Sequence, residues 1–390
     1  MTQYAYSPTY GHTPLHKALA GDVYGIGYDP ERASRRSIRL GIIGAGGVAQ
    51  SKYLPAIARL RMIWEPVELV AFATRNKEQA RKIETTYHTR HYSDYQQMLA
   101  QEEIDGVLVL SPDQLHPEHT IAALESGRHV LVEKPIARSL IQAESMCRTA
   151  ERLGPKLMAV ANKRYSPPYR RAKLLIEAGI LSDPAMFVGK FNLGYDYVDL
   201  FESGTIHLFD LTRYLMGDVQ TVFCTGINRY SVSHRRYPVD NAIAVFNFVS
   251  GAVGSLYTSA SALSFKPWER VEVYGKHAWL AVEDQRDLIV YRSEEGPEER
   301  WSPVLPNTLL FDEEFGGFMG MLENFAQVIR GKEAPLVTGW DGYRAYELNV
   351  ACHLSLARKA QVSLPLDPSN ADAEALAWLK SSGWPGKGQE

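Results

Sequence analysis

The stretch that decides the fold covers residues 38–49 and reads Ile-Arg-Leu-Gly-Ile-Ile-Gly-Ala-Gly-Gly-Val-Ala. Its short apolar run stops at glycine, as in a buried parallel strand. The following residues fit the G-x-G-x-x-G/A turn of a dinucleotide site: the first glycine permits the tight turn, the next lets a pyrophosphate approach, and the small final residue lets a helix pack on the strand. We expect the cofactor to contact Gly44, Gly46, Gly47, Val48 and Ala49.

Strand-like and helix-like segments alternate from this turn to about residue 160. The strand-like segments are VELVAFA (67–73), IDGVLVL (104–110), HVLV (129–132) and KLMAVA (156–161). Repeated strand–helix pairs with short connections predict a doubly wound parallel sheet covered on both faces. From about residue 184 several strand-like segments follow one another with few helices, which predicts a second, α+β domain built on a mostly antiparallel sheet.

These patterns predict four regions. Residues 1–36, rich in Tyr, Gly, Pro and His, form an N-terminal arm that either wraps around a partner subunit or is a mobile tail. Residues 37–160 form the dinucleotide-binding domain. Residues 161–365 form the substrate and oligomerisation domain, with its last helix free to pack back on the first domain, and residues 366–390 form a polar tail.

Composition excludes several classes of protein. Among 390 residues, 42 Lys and Arg oppose 45 Asp and Glu, and no basic cluster suggests a nucleic-acid partner. No apolar run reaches the roughly 18–20 residues of a membrane span, and the N-terminus has no secretory signal. The 3 cysteines are far apart, which excludes a disulfide framework and gives no zinc-ligand spacing. We therefore expect a cytoplasmic protein.

The end of the second strand bears on the choice of dinucleotide. A carboxylate there would bind the ribose 2′-hydroxyl of NAD, but this chain has Thr74-Arg75-Asn76. Without that negative charge, and with a guanidinium able to grip a 2′-phosphate, NADP is favoured over NAD. The alternative is that Arg75 stacks on adenine and that the site accepts either cofactor.

Glu133-Lys134-Pro135 follows the strand 129–132, at the edge where ligands bind in open α/β sheets. An ammonium beside a positively charged nicotinamide has its pKa lowered by the like charge, so Lys134 could hold a substrate hydroxyl or take its proton. The alternative is a lysine that faces solvent at the end of a strand.

Further motifs extend this pattern along the chain. They are Ser111-Pro112-x-x-x-His116, Asn162-Lys163-Arg164-Tyr165, His207-Leu208-Phe209-Asp210, Asp240-Asn241 and Val337-Thr338-Gly339-x-Asp341-Gly342. Together with the glycine turn and Glu-Lys-Pro, in this order over about residues 37–365, they resemble the Gfo/Idh/MocA oxidoreductases, which include glucose–fructose oxidoreductase and inositol dehydrogenase.

The resemblance implies a Rossmann domain, a C-terminal domain on an open antiparallel sheet, and a nicotinamide cofactor between them. It implies sugars, inositols or keto-sugars as substrates, Lys134 as the catalytic lysine and His207 as general acid/base. Ser111, Pro112 and His116 would line the cofactor, and Glu133 would hold the nicotinamide ribose. Arg164 and Tyr165 would border the substrate. A homodimer or homotetramer is expected.

One position departs from the family. Many members carry an aspartate four residues before the histidine, where this chain has Ser203 beside Glu202. A serine cannot take a proton at neutral pH, so Asp210 or Glu202 fills the role, or Lys134 and His207 act alone. Asp210 lies three residues after His207, on the same helical face, and could orient its ring. Glu202 and Ser203 are also candidates to bind substrate.

One weaker feature and two rival functions remain. Tyr195, Asp196, Tyr197 and Asp199 either bind a polyol or pack a subunit interface. The predicted function is an NAD(P)-dependent oxidoreductase acting on a sugar or polyol. The rivals are a nicotinamide-dependent glycoside hydrolase that oxidises a sugar transiently, and a non-catalytic NADP sensor.

Overall fold

The computed structural model describes residues 30–193, 199–230, 238–260, 267–292, 296–302 and 316–382. The chain divides into two compact units. In the described ranges, the first unit contains residues 30–138, 142–167 and 316–342, and the second contains residues 139–141, 168–302 and 343–382. Residues 1–29 of the predicted arm, and Tyr195, Asp196 and Tyr197, lie outside the described residues.

The first unit is built on a parallel sheet of six strands, which confirms the predicted fold class. Its strands are β1 (Ile38–Ile43), β2 (Val67–Ala73), β3 (Arg90–Tyr92), β4 (Gly106–Val109), β5 (His129–Val132) and β6 (Leu157–Ala159). Their order in the sheet is β3-β2-β1-β4-β5-β6. The order reverses between β1 and β4, and ligands bind at such switch points, outside the carboxyl ends of the strands.

Six helices of the first unit lie before or between these strands, and a seventh comes from a later part of the chain. They are α1 (Pro30–Ala33), α2 (Leu54–Met62), α3 (Lys77–Tyr87), α4 (Tyr95–Gln101), α5 (His116–Glu125), α6 (Leu140–Leu153) and, after the second sheet, α9 (Phe318–Ile329). α9 packs close to β4, because a Cβ on Gly106 would lie 2.6 Å from Ile329 and 3.0 Å from Phe325. Residues 316–342, which contain α9, belong to the first unit, so this unit is built from separate stretches of the chain.

The second unit contains a nine-stranded, open, mostly antiparallel sheet, as predicted. Its strands are β7 (Met186–Asn192), β8 (Val219–Ile227), β9 (Asn241–Phe248), β10 (Val253–Ser259), β11 (Glu269–Tyr274), β12 (Ala278–Glu283), β13 (Asp287–Arg292), β14 (Gly296–Trp301) and β15 (Val362–Ser363). Their order is β14-β13-β12-β11-β7-β10-β9-β8-β15. Within this second sheet, the described strands β7 and β10 pair in parallel. The helices are α7 (Pro167–Glu177), α8 (Ile206–Met216), α10 (Gly339–Arg358, from residue 343 onward) and α11 (Pro368–Ser381).

The C-terminal segment differs from the tail expected over residues 366–390, because residues 368–381 form α11. The carboxylate of Asp367 accepts a hydrogen bond from the backbone N–H of Ser369 and caps this helix. Its buried face is narrow: Ala371, Ala375 and Leu379, spaced four residues apart. Such small side chains leave a weak hydrophobic pattern in the sequence.

None of the helices within the described ranges combines the length and the apolar character that a membrane crossing requires.

Candidate functional site

The glycine turn after β1 has the geometry that a dinucleotide requires. Gly44 has φ +96°, and a Cβ there would lie 2.5 Å from the backbone nitrogen of Ser111, so only glycine fits where this turn meets the loop after β4. A Cβ on Gly46 or Gly47 would meet nothing within 4 Å. The turn is therefore tight on its inner side and open at Gly46 and Gly47, so it fits the diphosphate of a dinucleotide.

A π-helical turn, Ala49–Tyr53, joins the glycine turn to α2. It buries Tyr53, whose hydroxyl donates a 2.8 Å hydrogen bond to Oε1 of Glu133. Burial, together with the neighbouring Glu133 carboxylate, raises the pKa of Tyr53 well above its usual value. Sequence reasoning missed Tyr53, since no local pattern distinguishes it and its partner lies 80 residues away.

Glu133 and Lys134 stand at the carboxyl end of β5. The second carboxylate oxygen of Glu133, Oε2, accepts a 2.9 Å hydrogen bond from the backbone N–H of Lys134, and the Lys134–Pro135 peptide bond is cis. Glu133 is buried and Lys134 half-buried. An ionised carboxylate offers about four acceptor positions, so Glu133 can still accept a bond from a ribose hydroxyl.

Two histidines hold the loop after β4. The ring of His116 is buried, with Nδ1 at 2.8 Å from the carbonyl oxygen of Pro135 and Nε2 at 2.9 Å from that of Ser111. It thus ties the Ser111-Pro112 loop to the Glu-Lys-Pro segment, and burial lowers its pKa. His119, which the sequence analysis did not single out, lies with Nδ1 2.8 Å from Oγ of Ser111. Ser111, Pro112 and His116 are therefore at the predicted edge of the sheet.

Thr74 and Arg75 follow β2 at the same edge. The backbone N–H of Gly44 donates to the carbonyl of Ala73 at 2.9 Å, so the residues after Ala73 run beside the glycine turn. The side chain of Asn76 caps α3, and Arg75 is exposed. The guanidinium is thus available to a ligand at the predicted position.

Arg164 and Tyr165, predicted to border the substrate, are buried within the first unit. Arg164 donates hydrogen bonds to Oδ1 of Asp341 at 3.1 Å and to the carbonyl of Leu336 at 3.2 Å. The hydroxyl of Tyr165 donates to Oδ1 of Asn324 at 2.9 Å. These internal contacts occupy donors that a substrate would otherwise use, and the substrate-binding role stays a prediction.

The second unit carries the other predicted group of residues around the start of α8. A π-helical turn, Leu200–Thr205, precedes α8 and contains Glu202 and Ser203. The carboxylate of Asp199 caps this turn by accepting hydrogen bonds from the backbone N–H groups of Phe201 and Glu202 at 2.9 and 2.8 Å. His207 is half-buried, and Asp210 is buried in the next turn. π-helical turns inside helices are frequent at functional sites.

Comparison with known proteins decides the family. A family model described as an oxidoreductase family with an NAD-binding Rossmann fold matches residues 38–160, and the model of its C-terminal alpha/beta domain matches residues 201–364. The chain belongs to the GFO/IDH/MocA oxidoreductase family. The resemblance inferred from the motifs is confirmed, and this GFO/IDH/MocA member is a nicotinamide-dependent oxidoreductase.

Relatives of this GFO/IDH/MocA protein cover most of its length. Myo-inositol 2-dehydrogenase of Thermotoga maritima is 27% identical over 340 residues, which are 84% of this chain and 98% of the relative. The scyllo-inositol 2-dehydrogenase (NAD(+)) of Bacillus subtilis is 25% identical over 287 residues, 70% of this chain and 81% of the relative.

Solved structures share the fold. An NAD binding oxidoreductase from Klebsiella pneumoniae has a TM-score of 0.75 at 20% identity, over 85% of this chain and 100% of that chain. The WlbA dehydrogenase from Bordetella pertussis, solved with NADH and UDP-GlcNAcA, has a TM-score of 0.69 at 23% identity over the same shares of the two chains, 85% and 100%.

Proposed function

We propose that the protein transfers a hydride between a nicotinamide cofactor and a hydroxyl-bearing carbon of a sugar, an inositol or a keto-sugar. The observation that carries the proposal is the fixed position of Lys134 at the carboxyl end of β5. Its backbone is held by Glu133, which is bonded in turn to Tyr53 beside the glycine turn. The names of the inositol dehydrogenases among its relatives support the substrate class.

The cofactor is held by the first unit in this proposal. The diphosphate binds at Gly44, Gly46, Gly47, Val48 and Ala49, with its charge received by the N–H groups of the following turn. Ser111, Pro112 and His116 line the nicotinamide end, and Glu133 accepts a ribose hydroxyl. Thr74 and Arg75 contact the adenosine ribose, and Arg75 favours NADP, although three of the proteins described above are named with NAD or NADH.

The bound cofactor supplies or accepts the hydride, and side chains of the chain exchange the proton. Lys134 holds the reacting hydroxyl, and His207 takes or returns its proton, a task suited to imidazole near neutral pH. Asp210, three residues later on α8, orients the His207 ring. Arg164, Tyr165, Glu202 and Ser203 are the candidates for recognising the remaining hydroxyls of the substrate.

A substrate panel tests the proposal directly. The purified protein is incubated with NAD or NADP and with inositols, aldoses and glucosides, and with NADH or NADPH and keto-sugars, while absorbance of the reduced cofactor is followed. Turnover that requires a hydroxyl-bearing or keto substrate supports the proposal. Release of the aglycone from aryl glycosides without net change of the cofactor would instead indicate the glycoside hydrolase. Binding of cofactor with no reaction on any of these compounds would indicate a sensor.

The proposal includes a homodimer or homotetramer formed through the open sheet of the second unit. On one face of β8, β9 and β10, the side chains of Phe223, Ile243, Val245 and Tyr257 are each more than 40% exposed. The register pairs Tyr257 with Ile243 and Phe223 with Val245, so the four form one continuous patch. Apolar patches of this kind mark protein interfaces.

Cytoplasmic residence is also part of the proposal. Cys147, Cys224 and Cys352 are buried free thiols, which a reducing compartment preserves.

A further inference from the structure

The turn that precedes α8 contains a backbone hydrogen bond that a regular α-helix lacks. The backbone N–H of Ile206 donates to the carbonyl of Phe201, five residues earlier, as in a π-helix. π-helical turns are rare, and an α-helix closes its hydrogen bonds over four residues instead. The wider spacing of the turn Leu200–Thr205 is therefore expected to depend on contacts outside the turn.

The hydroxyl of Thr205 connects this turn to strand β10. Its Oγ1 lies 2.7 Å from the carbonyl oxygen of Leu200 and 2.6 Å from Oγ1 of Thr258, a residue of β10. Both threonines are buried. A hydroxyl has one proton and a carbonyl oxygen only accepts, so Thr205 donates to Leu200 and Thr258 donates to Thr205. The chemistry of the three groups thus fixes the direction of both hydrogen bonds.

The backbone of the turn also packs closely on the neighbouring strand β7. A Cβ on Gly204 would lie 2.5 Å from the ring of Phe191, a residue of β7, and 2.5 Å from the side chain of Leu193. Phe191 is paired with Thr258 in the parallel register of β7 and β10, so their side chains lie on the same face of the sheet. The close approach at Gly204 and the hydroxyl contact at Thr205 therefore attach the turn to one place on the sheet.

This attachment determines how the turn is aligned with α8. Each residue of an α-helix advances about 100° around the helix axis. A π-turn contains one residue more than an α-turn, so relaxation to α-helical bonding would rotate the backbone at Glu202 and Ser203 by roughly 100° relative to His207. Glu202 and Ser203, on the turn, are candidates to bind substrate, and His207, on α8, is the proposed acid/base residue. The contact with β10 therefore bears on the geometry of the reaction.

We propose that Thr258 is a positioning residue for the reaction: by donating its hydroxyl proton to Thr205 it holds the π-helical turn, and so it keeps the substrate candidates of the turn aligned with His207. The inference deepens the proposed function and rests on it for the roles of Glu202, Ser203 and His207. Thr258 acts through Thr205 and needs no contact with substrate or cofactor. Removal of its hydroxyl would leave the turn without its hydrogen bond to β10.

Steady-state kinetics with the substrate that the panel identifies test the positioning role. We expect Thr258→Val to lower kcat/KM by about 10- to 100-fold, since a misplacement of about 1 Å can cost that much, with no change in the affinity for NADH or NADPH. Thr258→Ser, which retains the hydroxyl, should restore most of the loss. Thr212→Val is the matched control: the Thr212 hydroxyl is buried and donates at 2.7 Å to the carbonyl of Leu208 within α8, so this variant loses a local bond and should keep its kcat/KM.

Hydrogen exchange measured by mass spectrometry reports on the turn itself in the full-length protein, without substrate. We expect the amides of residues 200–206 to exchange about 10-fold faster in Thr258→Val and in Thr205→Val than in Thr212→Val. Because Thr258 acts through Thr205, Thr258→Val combined with Thr205→Val should give exchange no faster than Thr205→Val alone. Additive effects would overturn the inference, as would exchange in Thr258→Val that matches Thr212→Val. Where Thr205→Val does not fold, Thr258→Val and Thr258→Ser carry the comparison.

The outcome is distinct from that of the substrate panel. A protein that turns over none of the panel would remove the proposed function, whereas faster exchange of the turn in Thr258→Val would still support the role of Thr258 in holding it. Turnover with the same kcat/KM in Thr258→Val and Thr212→Val would leave the proposed function standing and overturn the inference. A fall in kcat/KM with an equal fall in cofactor affinity would also overturn it, because a general loss of structure affects both.

Discussion

The hydroxyl of Tyr53 donates a 2.8 Å hydrogen bond to the carboxylate of Glu133, and both residues are buried. The contact joins the turn that follows the glycine motif to the Glu-Lys-Pro segment after β5. Since the same carboxylate accepts the backbone N–H of Lys134, one hydrogen-bonded chain connects the diphosphate-binding turn to the proposed catalytic lysine. The two motifs of the first unit therefore act as a single structural element.

Removal of this contact should affect cofactor binding as well as stability. We expect Tyr53→Phe to lower the free energy of unfolding by about 1–3 kcal/mol, because a buried carboxylate loses a partner, and to weaken NADH or NADPH binding. Urea unfolding and cofactor fluorescence measure the two effects. Tyr92→Phe is the matched control, since the Tyr92 hydroxyl donates to Glu102 at 2.6 Å away from the glycine turn. Equal cofactor affinities of Tyr53→Phe and Tyr92→Phe would show that the Tyr53–Glu133 hydrogen bond does not affect cofactor binding.

Lys134 should matter for turnover more than for binding. We expect Lys134→Met to lower kcat by about 10²–10⁴-fold, the usual contribution of a residue that handles a proton, with little change in cofactor affinity. Steady-state kinetics and fluorescence titration check this, and the exposed Lys82→Met is the control. A variant that loses cofactor affinity while its kcat is unchanged would show that Lys134 takes no part in proton transfer.

Arg75 should set the preference between the two nicotinamide cofactors. We expect NADP to bind more tightly than NAD, and Arg75→Ala to reduce that difference by about 10-fold, because the guanidinium is the group available to grip a 2′-phosphate. Isothermal titration with both cofactors measures the ratio. Arg81→Ala, on the exposed side of α3, should leave it unchanged. Equal affinities in the unaltered protein would refute the preference.

The exposed sheet face should determine the oligomeric state. We expect Val245→Glu and Tyr257→Glu, each at the centre of the patch on β9 and β10, to dissociate the oligomer by burying a charge in its interface. Sedimentation velocity measures the species present. Leu376→Glu, at an exposed position of α11, is the control. Removal of residues 1–29 tests the arm separately. A truncated protein that forms a smaller oligomer than the full-length chain would show that the arm contributes to the subunit interface.

Glu323 should give the protein a recognisable pH dependence of stability. Burial raises its pKa to about 7, against the opposing charge of Arg32, whose Nη2 lies 2.8 Å away. The folded state thus holds this proton more tightly than the unfolded state, and the stabilisation present at acid pH is lost as the pH rises from 4.5 to about 7. The loss amounts to about 3 kcal/mol.

Glu323→Gln should remove this loss of stability between pH 4.5 and 7. Urea unfolding at several pH values measures the slope, and the exposed Glu125→Gln should retain it. An identical slope in Glu323→Gln would show that another group titrates in this range.

Local patterns were enough to predict much of the first unit. The glycine motif, the apolar strand before it and the Glu-Lys-Pro segment are short-range features: the strand is β1 of the parallel sheet, and the other two lie at the carboxyl ends of β1 and β5. Short elements were harder to predict from the sequence. β3 and β15 contain 3 and 2 residues, which are too few to show a periodic pattern. The buried face of α11 is too small to distinguish it from a polar tail.

The sequence by itself determined the strand–turn–helix at Gly44, the parallel sheet that repeated strand–helix pairs form, and the family, because these depend on backbone conformation, short connections and motifs of a few residues. Only the tertiary structure decided that Tyr53 contacts Glu133, that α9 belongs to the first unit and that the ring of Phe201 packs against that of His353. Such pairs are made by the packing of elements far apart in the chain, and no local pattern records which side chains will then share a hydrogen bond.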